Sequence, residues 1–395
     1  MSIILNKEEL AINESRKNAL DILETGLEAI DTEKILRKKI TFNDGVLCVD
    51  GMDFQCSFYE RIFFIGIGKC ALKGARIIEN ILGNCLTDGI ALDIKIGELK
   101  KIKSYAGTHP YPSEQNVEIT KKILEMVKGV TEKDLIITLI SGGGSSLFEL
   151  PVPGITLDTI IKKTKELTAK GADIYELNAV RKNLSEVKGG KFAKLCYPAQ
   201  IVSLVFSDVL GNDISTVASG PTVLDVSDDR IKNILMVSNR NALEAMKTKS
   251  EELGFNTTIE TETLSGNTSE IGKELAMRKL KPKTCVLFGG ETTVKIRGDG
   301  IGGRNQEMAL SALPYIQPNS VLVCAASDGW DNTDHAGAIA DQELSQKAKN
   351  LEINPKEYLE KNDSYNFFKK VADGAISTGK LGSNVSDLCI LIYNG

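Results

Sequence analysis

Three short stretches combine residue types suited to holding an anion. In "DLIITLISGGGSSLFELP", Asp134 to Pro151, an apolar run empties into Ser141, Gly142, Gly143, Gly144, Ser145 and Ser146. Glycine loses more conformational freedom on folding than any other residue, so three in a row imply that backbone must approach something closely. Consecutive amide N–H groups in such a loop make a concavity for phosphate or carboxylate oxygens. In "GIGKCALKG", Gly66 to Gly74, Lys69 stands where a strand turns into a helix, and its ammonium would neutralise the same kind of anion. In "GDGIGGRNQEMAL", Gly298 to Leu310, Arg304 opens a helix after four glycines. A planar guanidinium suits bidentate capture of carboxylate or phosphate.

Acidic and amide groups complete the set. Asp208, in "SDVLGND", follows a buried strand and is placed to accept a hydroxyl proton, to hold a metal, or to cap the next segment. "SDGWDNTD" repeats the arrangement with Asp328, Asp331 and Asp334, but lacks the terminal glutamate of a calcium loop. "ELNAVRKNLSEVKGGKFAKL" is expected to carry Arg181, Lys182 and Lys188 on one helix, where Asn178, Arg181 and Ser185 share a stripe with Lys182 and Glu186 adjacent. Such a stripe is either a solvated basic face or one wall of a cleft. Glu291 lies in the loop after "KTCVLF".

Two look-alikes are set aside. "GAISTGKL", Gly374 to Leu381, has the glycine and lysine spacing of a phosphate loop, but Leu381 stands where Ser or Thr must meet magnesium, and "NFFKKVAD" before it is helical in character. "GIGKCALKG" lacks the third glycine of a dinucleotide fingerprint. It leaves a nicotinamide-dependent hydroxypyruvate reductase as a rival reading.

The elements that must position these residues follow one pattern. "RIFFIGI", "DLIITLI", "AQIVSLVF", "KTCVLF" and "SVLVCAA" are near-continuous apolar runs, each ending in small or polar residues. They predict a parallel sheet covered on both faces, with ligands outside the carboxyl ends of its strands. Residues 7–39 carry apolar residues at helical spacing, with Leu10, Ile12, Leu20, Ile22, Leu23 and Leu27 as core candidates. "TFNDGVLCVDGMDFQCSFYE" alternates around Asp44-Gly45 and Asp50-Gly51, as hairpins do. The fold class is α/β, and 395 residues predict two domains, set at 1–230 and 231–395.

Composition narrows the function classes. A net charge of −5 argues against a nucleic-acid or membrane-surface protein, and no apolar run is long enough to span a bilayer. No basic leader with a long apolar core opens the chain. The eight cysteines include no C-x-x-C pair, and His109 and His335 are the only histidines. Reduced buried thiols and a cytoplasmic location follow as expectations.

The order of the motifs is itself informative: "GIGK", "GTHPYP", "SGGGSS", "ELNAVRKNLSEVKGG", "SDVLGNDISTVASGPTVLD", "NRNALEA", "GGETTVKIRGDGIGGRNQE", "SDGWDNTDHAGAIAD" and "GSNVSDL". In this series the chain resembles the glycerate 2-kinase family with a MOFRL C-terminal region, from about Lys7 to its end. The resemblance implies a Rossmann-like N-terminal domain, a smaller MOFRL-type α/β domain and a cleft between them. It also implies phosphorylation of D-glycerate at its 2-hydroxyl, with ATP and Mg²⁺, and catalytic residues at Lys69, Asp208 and Arg304. Two departures stand out: "TGKLGSNV", Thr378 to Val385, replaces a loop of the form G-P-T-G-T-N-V, and Trp330 stands where a smaller residue is usual.

The expected assignment places Ser141, Gly142, Gly143, Gly144, Ser145, Ser146 and Glu291 on ATP, with Asn178, Arg181 and Asp328 on glycerate. Lys69 would neutralise the transferring phosphoryl group, and Arg304 would hold the substrate carboxylate or the phosphoryl oxygens. Asp208 would take the hydroxyl proton or position it through the metal. The expected partners are these small molecules, with no nucleic acid and no membrane, and a homodimer is allowed for. A non-catalytic anion-binding sensor on the same fold is the second rival.

Overall fold

The computed structural model describes residues 2–170, 172 and 174–395. The chain divides into two compact units, Thr32–Val237 and Met1–Asp31 with Ser238–Gly395. The first is called the central unit and the second the terminal unit.

The central unit begins with a helix, Thr32–Lys39, and three antiparallel strands, β1 (Ile40–Asn43), β2 (Val46–Val49) and β3 (Met52–Gln55). Asp44-Gly45 and Asp50-Gly51 form their two-residue turns, with all four residues in the left-handed region (φ 50, 77, 49 and 83°). That is the backbone twist which two-residue hairpins need.

Six strands follow: β4 (Arg61–Ile67), β5 (Asp88–Asp93), β6 (Ile102–Ala106), β7 (Asp134–Ile140), β8 (Gln200–Phe206) and β9 (Ile231–Val237). They pair in parallel throughout, in the order β6-β5-β4-β7-β8-β9. Every residue of β7 is buried, as its unbroken apolar sequence requires. The chain winds outward from β4 through β5 to β6, then returns to the other side of β4 with β7. The strand order therefore reverses between β4 and β7, and such a switch point is where a doubly wound sheet binds its ligand. Phe63, Ile65, Ile67, Ile90, Leu92 and Ile136 form the core beneath it, with Phe148 and Phe192 packed edge to face at 5.1 Å.

In the terminal unit, β10 (Asn256–Leu264) and β11 (Thr284–Gly290) are parallel, while β12 (Ser320–Ala326), β13 (Gly337–Ala340), β14 (Ala375–Ile376) and β15 (Asp387–Tyr393) complete a mixed sheet. Its order is β10-β11-β15-β12-β13-β14, and β15 runs antiparallel to both β11 and β12. The sequence expectation of five strands in one parallel sheet is thus corrected. β4, β7 and β8 belong to the parallel sheet, whereas "KTCVLF" and "SVLVCAA" flank an antiparallel strand. Continuous burial marks a strand covered on both faces but carries no direction.

The first 31 residues belong with the terminal unit, not with the domain that follows them in sequence, and the central unit extends seven residues beyond 230. Helix Glu14–Ala29 lies on helix Asn239–Glu252, where a Cβ at Gly26 would come within 2.6 Å of Met246 Sδ. Leu10, Leu20, Ile22, Leu23 and Leu27 are buried as expected, but Ile12 is 55% exposed. It falls in the break between helix Lys7–Leu10 and helix Glu14–Ala29, so helical spacing does not run through it. No helix among the described residues is long and apolar enough to cross a membrane.

Arg16 anchors this N-terminal helix. Its buried guanidinium pairs through Nε and Nη2 with Asp341, and Nη1 donates to Asp373 at 2.8 Å. Asp341 also caps helix Gln342–Asn350 by accepting from the Leu344 amide. Arg16→Met is expected to leave the buried Asp341 carboxylate without its counter-charge, while Asp373 keeps Lys347 at 3.7 Å, and to cost about 3–5 kcal/mol. Urea unfolding of the variant against the parent measures this, and a loss within about 0.5 kcal/mol would contradict it.

Candidate active site

At the switch point of the central unit, the loops after β4 and β7 are sewn together. The Ser141 amide donates to Ile67 O at 2.9 Å, and the Lys69 amide donates to Gly142 O at 3.0 Å. The Ser141 hydroxyl accepts from the Cys70 amide at 3.4 Å. Gly68 has φ 118°, and a Cβ there would sit 2.2 Å from Ser141 Oγ. The glycine that a dinucleotide fingerprint would keep open for a pyrophosphate therefore packs against the protein itself. This removes the structural ground for the nicotinamide reading.

Each glycine of the triplet meets a different neighbour. A Cβ on Gly142 would fall 2.1 Å from Asp208 Oδ2, in the half-buried loop after β8. On left-handed Gly143 (φ 84°) it would fall 3.2 Å from Lys69 Cγ and 3.3 Å from His109 Cδ2. On Gly144 it would fall 2.6 Å from Ala218 Cβ. The close approach that the sequence demands is in the first place an approach of protein to protein. It draws Asp208, Lys69 and His109 to one short loop, and the amides of Gly142, Gly143 and Ser145 donate to no described residue.

The side chains around this loop divide into free cations and satisfied supports. Lys69 is exposed and forms no ion pair with a described residue. Arg181, on helix Ile174–Leu184, is half-buried and likewise has no bonded partner among them. Burial holds its guanidinium below the usual value, and the Glu149 carboxylate only partly offsets this. Asn178 is 2% exposed, accepting from Ser219 Oγ at 2.7 Å and donating to Thr216 O at 3.2 Å. Ser219 in turn meets Ser145 Oγ at 3.1 Å. Asn178 thus orients the Thr216–Gly220 turn beside the glycine loop, with both ends of its amide occupied. Lys188 is not on the Arg181 helix: it lies beyond its end, buried, donating to Glu149 Oε2 at 2.6 Å and to Phe148 O at 2.9 Å.

The terminal unit carries a second cluster. Helix Arg304–Ala312 starts over Asp331, whose carboxylate accepts from the amides of Asn305 (3.1 Å) and Gln306 (2.8 Å) and from both their side chains. Arg304 donates through Nε (2.5 Å) and Nη2 (3.0 Å) to Asp387, the first residue of β15, and through Nη1 to Glu291 at 2.6 Å. Its bidentate edge, expected to grip substrate, is therefore spent on Asp387 in this state. Burial pushes the Glu291 carboxyl up, with the Arg304 charge opposing. Glu291, Thr292, Arg304, Trp330 and Asn332 line a cavity of about 280 Å³. Asp328 accepts from the Trp330 amide at 3.0 Å, and its carbonyl accepts from Leu381 at 2.8 Å, so it shapes the turn that carries Trp330. The Lys380 ammonium lies 3.9 Å from the centre of the Trp330 ring, which ties the two sequence departures to each other.

Asp331 also gives a pH signature. Burial, then the Asp387 charge, pushes its carboxyl up to about 6 from 3.8. A carboxyl raised in the folded state favours folding when protonated, so this contribution is complete below about pH 4 and lost as pH rises through about 6. Asp331→Asn keeps an acceptor without the charge. Its Tm relative to the parent is expected to improve between pH 4 and pH 7, and a constant difference would contradict the assignment.

Comparison with known proteins bears on both clusters. Residues 18–252 match the model of a domain of unknown function, DUF4147, and residues 284–387 match the MOFRL family. The chain is 34% identical to D-glycerate 2-kinase of Thermotoga maritima, covering 95% of this chain and 97% of that one. It is 36% identical to glycerate 2-kinase of Picrophilus torridus, with 99% of each chain covered. The chain belongs to the glycerate 2-kinase family. The crystal structure of glycerate kinase from Thermotoga maritima superposes with a TM-score of 0.85 at 32% identity, covering 95% of this chain and 99% of that one. Within the glycerate 2-kinase frame, the features that residue chemistry alone did not single out are His109 and the left-handed turn Ala218-Ser219-Gly220 (φ 51, 62 and 61°). The signal for the first was "GTHPYP", a polar loop stiffened by two prolines; the second had none beyond its place in the motif series.

Proposed function

We propose that this chain is an ATP-dependent glycerate kinase, moving the γ-phosphoryl group of ATP to the 2-hydroxyl of D-glycerate. The observation that carries this reading is the glycine loop at the switch point, with an Asp208 carboxylate against it and with the amides of Gly142, Gly143 and Ser145 and the cations of Lys69 and Arg181 bonded to no described residue. Phosphoryl transfer asks a protein mainly for positioning and for neutralising charge. Within the loop Ser141 to Ser146, the amides of Gly142, Gly143 and Ser145 hold phosphate oxygens, those of Ser141, Gly144 and Ser146 being bonded to backbone carbonyls, and Lys69 neutralises the group in transit. Asp208 accepts the proton of the attacking hydroxyl. Arg181 takes the carboxylate of glycerate, and Asn178 supports it by shaping the turn beside the glycine loop; Asp328 serves substrate binding from the terminal unit through the Trp330 turn that it shapes. Arg304 holds an anion through the N–H groups that Asp387 and Glu291 leave over.

Among the described residues no three His, Cys, Asp or Glu side chains gather to hold a metal by themselves. Mg²⁺ that arrives with ATP asks for only one or two carboxylates besides phosphate oxygens and water, and Asp208 fits that part. The ion would supply further charge neutralisation on the phosphates.

The test is ADP release from ATP, Mg²⁺ and D-glycerate, followed by ³¹P NMR of the product. A 2-phospho product is expected. A 3-phospho product overturns the regiochemistry, and the absence of ADP release with glycerate overturns the substrate.

A further inference from the structure

His109 has no part in the assignment above, yet the fold holds it firmly. Its loop is fastened on both sides. Asn116 accepts from the Thr108 amide at 2.8 Å and donates to Thr108 O (3.0 Å) and to Ser146 O (2.8 Å). The Ser146 hydroxyl donates to Pro110 O at 2.6 Å. The same serine thus belongs to the glycine loop and to the clamp on "THP". The ring itself lies against Gly143, so close that a Cβ there would be 3.3 Å from Cδ2.

A histidine fixed for structural reasons ordinarily spends its ring nitrogens on the protein. Those of His109 bond to no described residue, and the residue is exposed although its ring packs against the glycine loop on one side. We infer that His109 is a further ligand-contact residue of this site, donating an imidazole N–H to an oxygen of the phosphate that the amides of Gly142, Gly143 and Ser145 cradle. This rests on the kinase reading for the identity of the phosphate, but not for the contact itself.

Its surroundings suit a neutral donor. The charged groups that bear on the ring are Lys69 from the loop after β4 and Arg181 from helix Ile174–Leu184, while Asp208 abuts the neighbouring Gly142. Burial of the ring, then the Lys69 and Arg181 charges, push it down to about 4. A neutral imidazole can stand between two cations without repelling them and still offer an N–H.

The chain has only two histidines, so each imidazole Cε1–H resonance is readily followed by NMR on the full-length protein, and His109→Gln identifies which is which. ADP as the probe is expected to move the His109 resonance and not that of His335, with His109 untitrated from pH 8 to about 5. In the glycerate assay, His109→Phe, a ring without a donor, is expected to lower kcat/KM by roughly 10²- to 10³-fold. His109→Asn, which restores an N–H, should recover most of that loss. Three results would each overturn the inference: no response of His109 to ADP, equal activity in the phenylalanine and asparagine variants, or a His109 titration near pH 6.5 that sets a limb of the kcat profile. The two readings fail separately. If glycerate is not phosphorylated but ADP still moves His109, the contact stands and the substrate falls. If glycerate is phosphorylated and His109 is silent, only the contact falls.

Discussion

Lys69→Ala is expected to lower kcat by roughly 10³- to 10⁵-fold, the range seen when a cation that meets the transferring phosphoryl group is removed. The reason is local. Lys69 is exposed and unpaired among the described residues, so its charge is not spent on holding the fold. Its stem lies over Gly143, in the loop where the amides of Gly142, Gly143 and Ser145 donate to no described residue. The variant should therefore unfold at the parent's urea midpoint within error while losing turnover. Lys69→Arg is expected to stay strongly impaired, because a planar fork on a different stem does not reproduce a point charge at the same place. A Lys69→Ala protein with turnover within tenfold of the parent would end the assignment.

Gly142→Ala is the second large effect, and it comes from a single methyl group. The added Cβ would sit 2.1 Å from Asp208 Oδ2, and the carboxylate, as the end of a side chain, would move before backbone does. The fold is expected to survive while the proton acceptor is displaced, lowering kcat by roughly 10²- to 10⁴-fold, the usual worth of a general base. Asp208→Asn should give a loss of similar size. The decisive measurement is the double variant. If Gly142→Ala acts through Asp208, adding it to Asp208→Asn costs little more, whereas independent effects would multiply. Multiplied losses would mean that the alanine harms the phosphate cradle and not the carboxylate.

These expectations separate two meanings of the glycine triplet that the sequence could not tell apart. Three consecutive glycines announce close approach, and an anion is the natural guest at a strand's carboxyl end. In the structure two of the three close approaches are made by the protein's own Asp208 and Ala218, and the third by Lys69 and His109. The loop is narrow so that groups from four separate segments can converge on it. Anion binding then uses the amides that remain.

What the sequence determined by itself is what depends on neighbours along the chain. The apolar runs defined the strands, Asp44-Gly45 and Asp50-Gly51 defined their hairpin turns, and the residue types at strand ends placed Lys69, Ser141 to Ser146 and Asp208 there, with Arg304 at the start of a helix. Burial of β-branched runs and the φ > 0 demands of tight turns are local properties, and they can be read locally. The motif order carried the family.

Tertiary structure decided everything that depends on partners distant in sequence. The direction of β15 between β11 and β12, the union of the first 31 residues with the terminal unit through Arg16 and Asp341, and the use of Arg304's bidentate edge by Asp387 all join segments far apart in the chain. So does the placing of His109 over Gly143. A side chain's chemistry is written in its type, but whether that chemistry is spent on a protein partner or left for a ligand depends on which other charges and amides the fold brings within hydrogen-bond reach. Arg304 and Lys69 look equally available as letters; only the fold shows that one is paired twice and that the other has no ion pair among the described residues.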